Sequence, residues 1–114
     1  MGRLTTHVLN TALGVPAAGM AVRLMDVSRE VIVDTETNAD GRCEPPLLEG
    51  LTFKPGKYIV AFSVADYFRE HGAELSEPPF LDVVEIAVGL ADPNAHYHVP
   101  LLVSPWAYST YRGS

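Results

Sequence analysis

Cysteine is nearly absent: Cys43 stands alone. No intrachain disulfide can form, and no Cys/His spacing resembles a zinc finger or ribbon, which fits a reducing compartment. Long apolar runs are missing too, with no stretch of about eighteen uncharged hydrophobic residues to span a bilayer, so no membrane partner is expected. The opening Met1-Gly2-Arg3-Leu4-Thr5-Thr6-His7 has no apolar signal-peptide core, and a cytoplasmic location is expected. Cations are scarce and scattered, eight Lys and Arg against fourteen Asp and Glu for a net charge of −6. Phosphate binding needs clustered cations, so nucleic acid is disfavoured as a main partner and none is expected. Low-complexity tracts, heptads and internal repeats are lacking, as is a Gly-x-Ser-x-Gly nucleophile elbow.

What is present is a globular balance, 47% hydrophobic against 19% charged residues, too apolar for a disordered chain. A length of 114 residues leaves room for a single domain over 1–114 with a modest core, which makes oligomerisation a plausible source of further burial.

Short strand signals follow one another along the chain. Residues 4–9 are rich in β-branched side chains and end at a turn over 14–19. Met20, Val22, Leu24 and Asp26 alternate with Ala21, Arg23 and Met25 in a period-2 pattern with a partly polar face, and after a break at 28–30 residues 31–37 read as the second arm of a hairpin. Residues 37–42, Thr-Asn-Ala-Asp-Gly-Arg, carry the strongest turn signal and thrust Arg42 outward. Pro45 and Pro46 bar a regular central strand there, and Leu47, Leu48 and Leu51 are expected to tuck the connection onto the core. Residues 57–64 form a strand, 65–72 a helix of two turns at most closed by Gly72, and 81–88 another strand. Residues 96–103 make a strand that Pro100 assigns to an edge or a bulge, and 106–111 the last. Seven or eight short strands and one short helix predict a mainly β protein, an antiparallel sandwich of Greek-key type.

The chemistry gathers at the C-terminus. Strand alternation puts His96 and His98 on one face and Tyr97 on the other. A His-x-His pair on a strand is also a metal-ligand arrangement to which His7 could add a third nitrogen, but no carboxylate sits at a telling spacing and Arg42 is a poor neighbour for a cation. Neutral imidazole is the usual general base, and a guanidinium presents a planar fork of donors to a carboxylate-like oxygen or an oxyanion. His7, Arg42, His98 and Arg112 would make a water-activating site if the fold converges them. Cys43 beside Arg42 is a possible thiolate nucleophile, though Glu44 and two prolines favour an ordinary buried thiol. Pairs such as Asp34 and Glu36, or Asp82 and Glu85, suit solvated strand faces.

Leu4-Thr5-Thr6-His7-Val8-Leu9-Asn10-Thr11-Ala12 with Gly14 and Pro16-Ala17, then Thr37-Asn38-Ala39-Asp40-Gly41-Arg42, His96-Tyr97-His98-Val99-Pro100-Leu101-Leu102 and Ser109-Thr110-Tyr111-Arg112-Gly113-Ser114 resemble the 5-hydroxyisourate hydrolases, the transthyretin-related enzymes of urate breakdown. The terminal Tyr-Arg-Gly-Ser separates these enzymes from transthyretin, the carrier of the same fold. The resemblance implies a transthyretin-like sandwich in a homotetramer, a dimer of dimers with sites in the channel between dimers. It implies hydrolysis of the small-molecule substrate 5-hydroxyisourate to 2-oxo-4-hydroxy-4-carboxy-5-ureidoimidazoline without a cofactor. It also implies His7, Arg42 and His98 as catalytic residues, Tyr111, Arg112, Gly113 and Ser114 as the substrate-binding motif, and His96 as a supporting residue. Ala107 departs from the glycine many members have before Tyr108. The alternative is a transthyretin-like carrier of a small aromatic ligand, which calls for a mostly apolar channel instead of His7, Arg42 and His98.

Overall fold

The computed structural model describes every residue from Met1 to Ser114. The elements are β1 (Arg3–Asn10), β2 (Val15–Pro16), β3 (Ala21–Asp26), β4 (Val31–Glu36), β5 (Leu48–Glu49), β6 (Gly56–Ser63), α1 (Val64–Glu70), β7 (Val83–Leu90), β8 (His96–Val103) and β9 (Tyr108–Thr110), with one 3-10 turn at Gly50–Thr52. They form two sheets, one ordered β2-β1-β8-β9 with β5 also on β1, the other β4-β3-β6-β7. The sandwich expected from the strand pattern is therefore present.

Period-2 alternation explains the packing. On β1, Leu4, Thr6 and Val8 are buried while Arg3, Thr5 and His7 face outward. On β8 the buried set is Tyr97, Val99, Leu101 and Val103. The apolar members of both sets meet Val22, Leu24, Val60, Phe62 and Val84 of the second sheet in one core cluster, while the Thr6 hydroxyl donates to Val99 O. The helix α1 buries Val64, Ala65, Tyr67 and Phe68. It ends where Gly72 takes φ +85°, with Ala73 N–H bonding Phe68 O and Gly72 N–H bonding Arg69 O, the paired bonds of a Schellman cap. No helix is long and apolar enough to cross a membrane.

Several expectations change. β1 and β8 pair in parallel, Arg3 opposite His96 through Asn10 opposite Val103, while all other ladders are antiparallel. Almost the whole chain separates the two strands, so no hairpin dictates their direction. β8 is accordingly a central strand, not an edge, and Pro100 is buried within it. Its missing N–H is tolerated because the β9 ladder is interrupted there. Leu101 pairs with Thr110, residues 111–112 leave the strand, and the same register resumes where His98 bridges Gly113. The last strand therefore covers 108–110 only, and Trp106 is exposed. Leu47 and Leu48 reach the core but Leu51 does not, since the 3-10 turn leaves it 93% exposed. β7 begins two residues later than the pattern predicts.

Candidate active site on the outer face of the β1–β8 sheet

The parallel register sets Arg3 beside His96, Thr5 beside His98 and His7 beside Pro100, and alternation points these side chains away from the core. Over this surface opens a cleft of about 440 Å³ lined by Arg3, Thr5, Thr6, Arg42, Cys43, Glu44, Pro46, Glu49, His96, His98 and Ser114. Cations, carboxylates, hydroxyls and imidazoles dominate that wall.

Arg42 reaches the cleft because the turn before it is held rigidly. Asn38 accepts from the backbone N–H groups of Asp40 (2.9 Å) and Arg42 (3.1 Å) through its Oδ1, and Asn38 N–H bonds Arg42 O at 2.8 Å. Gly41 has φ +78° and a Cβ there would collide with the Val8 carbonyl oxygen; its own carbonyl accepts from Val8 N–H at 2.7 Å. Only glycine fits both the left-handed turn and this close approach. The result is a bridge between Arg42 and His7.

His98 is half-buried, its Nδ1 lying 2.7 Å from Thr5 Oγ1. Burial first, then the charges of Arg42, His96 and His7, hold its pKa below the ordinary imidazole value. His96 is also lowered, by burial and then by Arg3, and its Nε2 lies 2.6 Å from the same Thr5 hydroxyl. Both shifts favour the neutral ring, the form a general base needs.

His7 lies beside this wall, not on it. Its Nε2–H donates to Asp40 O at 2.8 Å, since a carbonyl can only accept. The ring thus tethers the turn that carries Arg42. Cys43 is buried, and burial pushes its thiol up to about 11, an inert state for a nucleophile. His96 and His98, ring centroids 6.0 Å apart, converge on a hydroxyl, and no group of three or more His, Cys, Asp or Glu side chains has a metal-holding arrangement.

The terminal residues divide. Gly113 N–H bonds His98 O at 2.8 Å, and Ser114 reaches the cleft. Tyr111 is exposed. Arg112 turns the other way, its guanidinium 4.2 Å from the centroid of the Tyr97 ring, whose hydroxyl accepts from Ala91 and Asp92 N–H groups. This cation–π contact fastens the segment to the β7–β8 loop. Residues 111–114 are thus a strap holding Gly113 and Ser114 at His98, and Arg112 is not on the wall of this cleft. Thr5 and Arg3 escaped sequence reasoning: alternation put them on the face of His7, but nothing local said that β8 lies beside them.

Fold and site define a two-sheet sandwich bearing a neutral-imidazole, guanidinium-lined cleft on one outer face, the equipment of a water-activating hydrolase. Residues 4–113 match the model of the HIUase/Transthyretin family, and the chain belongs to that family. It is 56% identical to a 5-hydroxyisourate hydrolase of Ralstonia nicotianae, with all of both chains covered. It is 52% identical to a 5-hydroxyisourate hydrolase of Pseudomonas aeruginosa, over all of this chain and 93% of that one. Among solved structures, (S)-allantoin synthase superposes with a TM-score of 0.94 at 44% identity, 99% of this chain spanning 44% of that one. Klebsiella pneumoniae 5-hydroxyisourate hydrolase gives 0.85 at 30% identity with both chains covered in full. Sea bream transthyretin in complex with thyroxine gives 0.84 at 27%, covering 97% of this chain and 94% of that one.

Proposed function

We propose that this one domain hydrolyses 5-hydroxyisourate to 2-oxo-4-hydroxy-4-carboxy-5-ureidoimidazoline, a step of urate breakdown. The observation that carries the reading is the cleft placing a neutral His98 on the same wall as the fixed cation Arg42. His98 Nε2 takes a proton from a water whose oxygen adds to the ring carbonyl. Arg42 stabilises the oxyanion that forms. Collapse breaks the ring C–N bond, the nitrogen leaves with the proton that His98 had taken, and the carbonyl carbon remains as the carboxyl group. His7 keeps Arg42 in place through Asp40, while Gly113 and Ser114 bound the substrate next to His98, held there by Arg112 on the Tyr97 ring, and the exposed Tyr111 is the remaining residue of the substrate-binding motif.

The carrier reading asks for an apolar tunnel, whereas this cleft has a single hydrophobic residue among the eleven on its wall. A polar heterocycle suits it better.

The working assembly is a homotetramer, a dimer of dimers, in the cytoplasm. What supports it is the position of the cleft on an open sheet face, because oxyanion stabilisation gains strength when a covering surface excludes water. Sedimentation of the purified protein should give four times the 12.4 kDa chain mass.

The deciding test is absorbance decay of freshly generated 5-hydroxyisourate, with a protein-free control because the substrate also decays alone. The protein should accelerate the decay, and His98→Asn should lose at least about 100-fold in kcat with its circular dichroism unchanged. Decay at the control rate with wild-type protein would overturn the proposal.

A further inference from the structure

Thr5 sits between the two imidazoles of β8, its Oγ1 2.6 Å from His96 Nε2 and 2.7 Å from His98 Nδ1. A hydroxyl has one hydrogen, and a neutral imidazole nitrogen either donates or accepts. The hydroxyl oxygen has two lone pairs, so Thr5 can donate to one ring and accept from the other, or accept from both, but it cannot donate to both. At least one of the two facing nitrogens therefore carries a hydrogen. If His98 carries its hydrogen on Nδ1, Thr5 accepts it and its own hydrogen is free for His96 Nε2; if His98 Nδ1 is bare, Thr5 donates to it and His96 carries a hydrogen on Nε2.

Only the first state leaves His98 Nε2 with a lone pair. The second makes that nitrogen a donor and abolishes the base. The electrostatics of the cleft favour the first. The bare nitrogen is the negative end of the imidazole dipole, and Arg42 lines the same wall as His98, so a lone pair presented to the cleft is stabilised by the guanidinium. Ring rotation cannot evade the choice cheaply, because the Cδ2 edge of His98 packs against Gly113. Desolvation first, and neighbouring charge second, favour the neutral form of both rings, and in that form the tautomer decides which nitrogen can act as a base.

We propose that Thr5 is a positioning residue which, with His96 accepting its hydroxyl proton, holds His98 in the Nδ1–H tautomer and so keeps Nε2 available as the base. His96 is thereby the second half of the device, because it commits the single hydroxyl hydrogen away from His98. The consequence for turnover rests on the hydrolase reading above; the tautomer does not.

The test is the ¹⁵N spectrum of the imidazoles at neutral pH, with steady-state kinetics on 5-hydroxyisourate, for wild type, Thr5→Val, Thr5→Ser and His96→Ala. Wild-type His98 should show a protonated Nδ1 and a bare Nε2. Thr5→Val keeps the β-branched shape without the hydroxyl; the Nε2–H form should appear and kcat fall by about 100-fold, the lower end of what a general base contributes, with KM little changed. Thr5→Ser should restore both readouts. His96→Ala frees the hydroxyl to donate to His98 and should also raise the Nε2–H form. A wild-type His98 protonated on Nε2 would overturn the proposal, as would Thr5→Val with the wild-type spectrum and kcat. The expected spectra from proteins that never accelerate substrate decay, wild type included, would sink the hydrolase reading and leave the tautomer assignment standing.

Discussion

Substituting Gly113 by alanine should disable the site from the strap side while sparing the fold. Its ideal Cβ would stand 2.5 Å from His98 Cδ2 and 3.2 Å from His98 Cβ and Cγ, against the 3.4 Å at which ordinary contact begins. About 1 Å of movement is needed, and two things can give. The His98 ring can swing, stretching its 2.7 Å contact to Thr5, or the strap can lift, breaking the 2.8 Å bond from Gly113 N–H to His98 O and withdrawing Ser114. Misplacing a catalytic group by about 1 Å costs on the order of 100-fold, equivalent to about 2.7 kcal/mol of transition-state stabilisation. Few buried groups depend on this end of the chain, so the loss of stability should be no more than that of one hydrogen bond, about 0.5–1.5 kcal/mol, with the fold retained. The assay is kcat/KM for 5-hydroxyisourate beside a calorimetric melt, and the imidazole spectrum of His98 tells ring movement from strap movement. A Gly113→Ala protein with wild-type kcat/KM would refute the idea that the strap positions His98.

Other outcomes follow from the same geometry. Because burial and then the Arg42, His96 and His7 charges lower the His98 pKa, the base form persists below the usual imidazole value; activity should fall, as pH drops, on a limb centred under pH 6.5, and Arg42→Ala should move that limb upward as well as slow the reaction. A pH profile of kcat/KM checks both. Thr37 is buried, donating from Oγ1 to Ala17 O at 2.6 Å and accepting from Met20 N–H at 2.9 Å, so Thr37→Val orphans two buried backbone groups. It should cost roughly 1–3 kcal/mol per orphaned group in urea unfolding. Leu101 is fully buried between the sheets, and Leu101→Ala should cost about 2–5 kcal/mol by the same measurement.

Much of this protein is local and therefore legible in its residues. The alternation on β1 and β8, which buries Leu4, Val8, Tyr97 and Leu101 and turns His96 and His98 outward, is a property of extended backbone whatever surrounds it. The turn carrying Arg42 follows from Asn38 and Gly41, whose side-chain hydrogen bonding and positive φ are short-range effects. Gly72 closes α1 for the same reason. These features, with one thiol and few cations, limited the chain to a β-sandwich with imidazole and guanidinium chemistry.

What tertiary structure decided is who stands beside whom. The parallel β1–β8 ladder joins segments about ninety residues apart, and no hairpin geometry encodes such a pairing. It made β8 central despite Pro100, because the proline falls where the β9 ladder lapses. It also put Thr5 between His96 and His98. The same long-range packing set His7 behind Arg42, turned Arg112 onto Tyr97, tied Gly113 to the His98 backbone, and left Ser114 as the residue of the C-terminal strap that reaches the cleft. The sequence alone determined which groups face outward and which chemistry they can perform, since periodicity and side-chain type are local. Only the fold decided that one threonine hydroxyl would couple two imidazoles, since that contact depends on the register of strands distant in the chain.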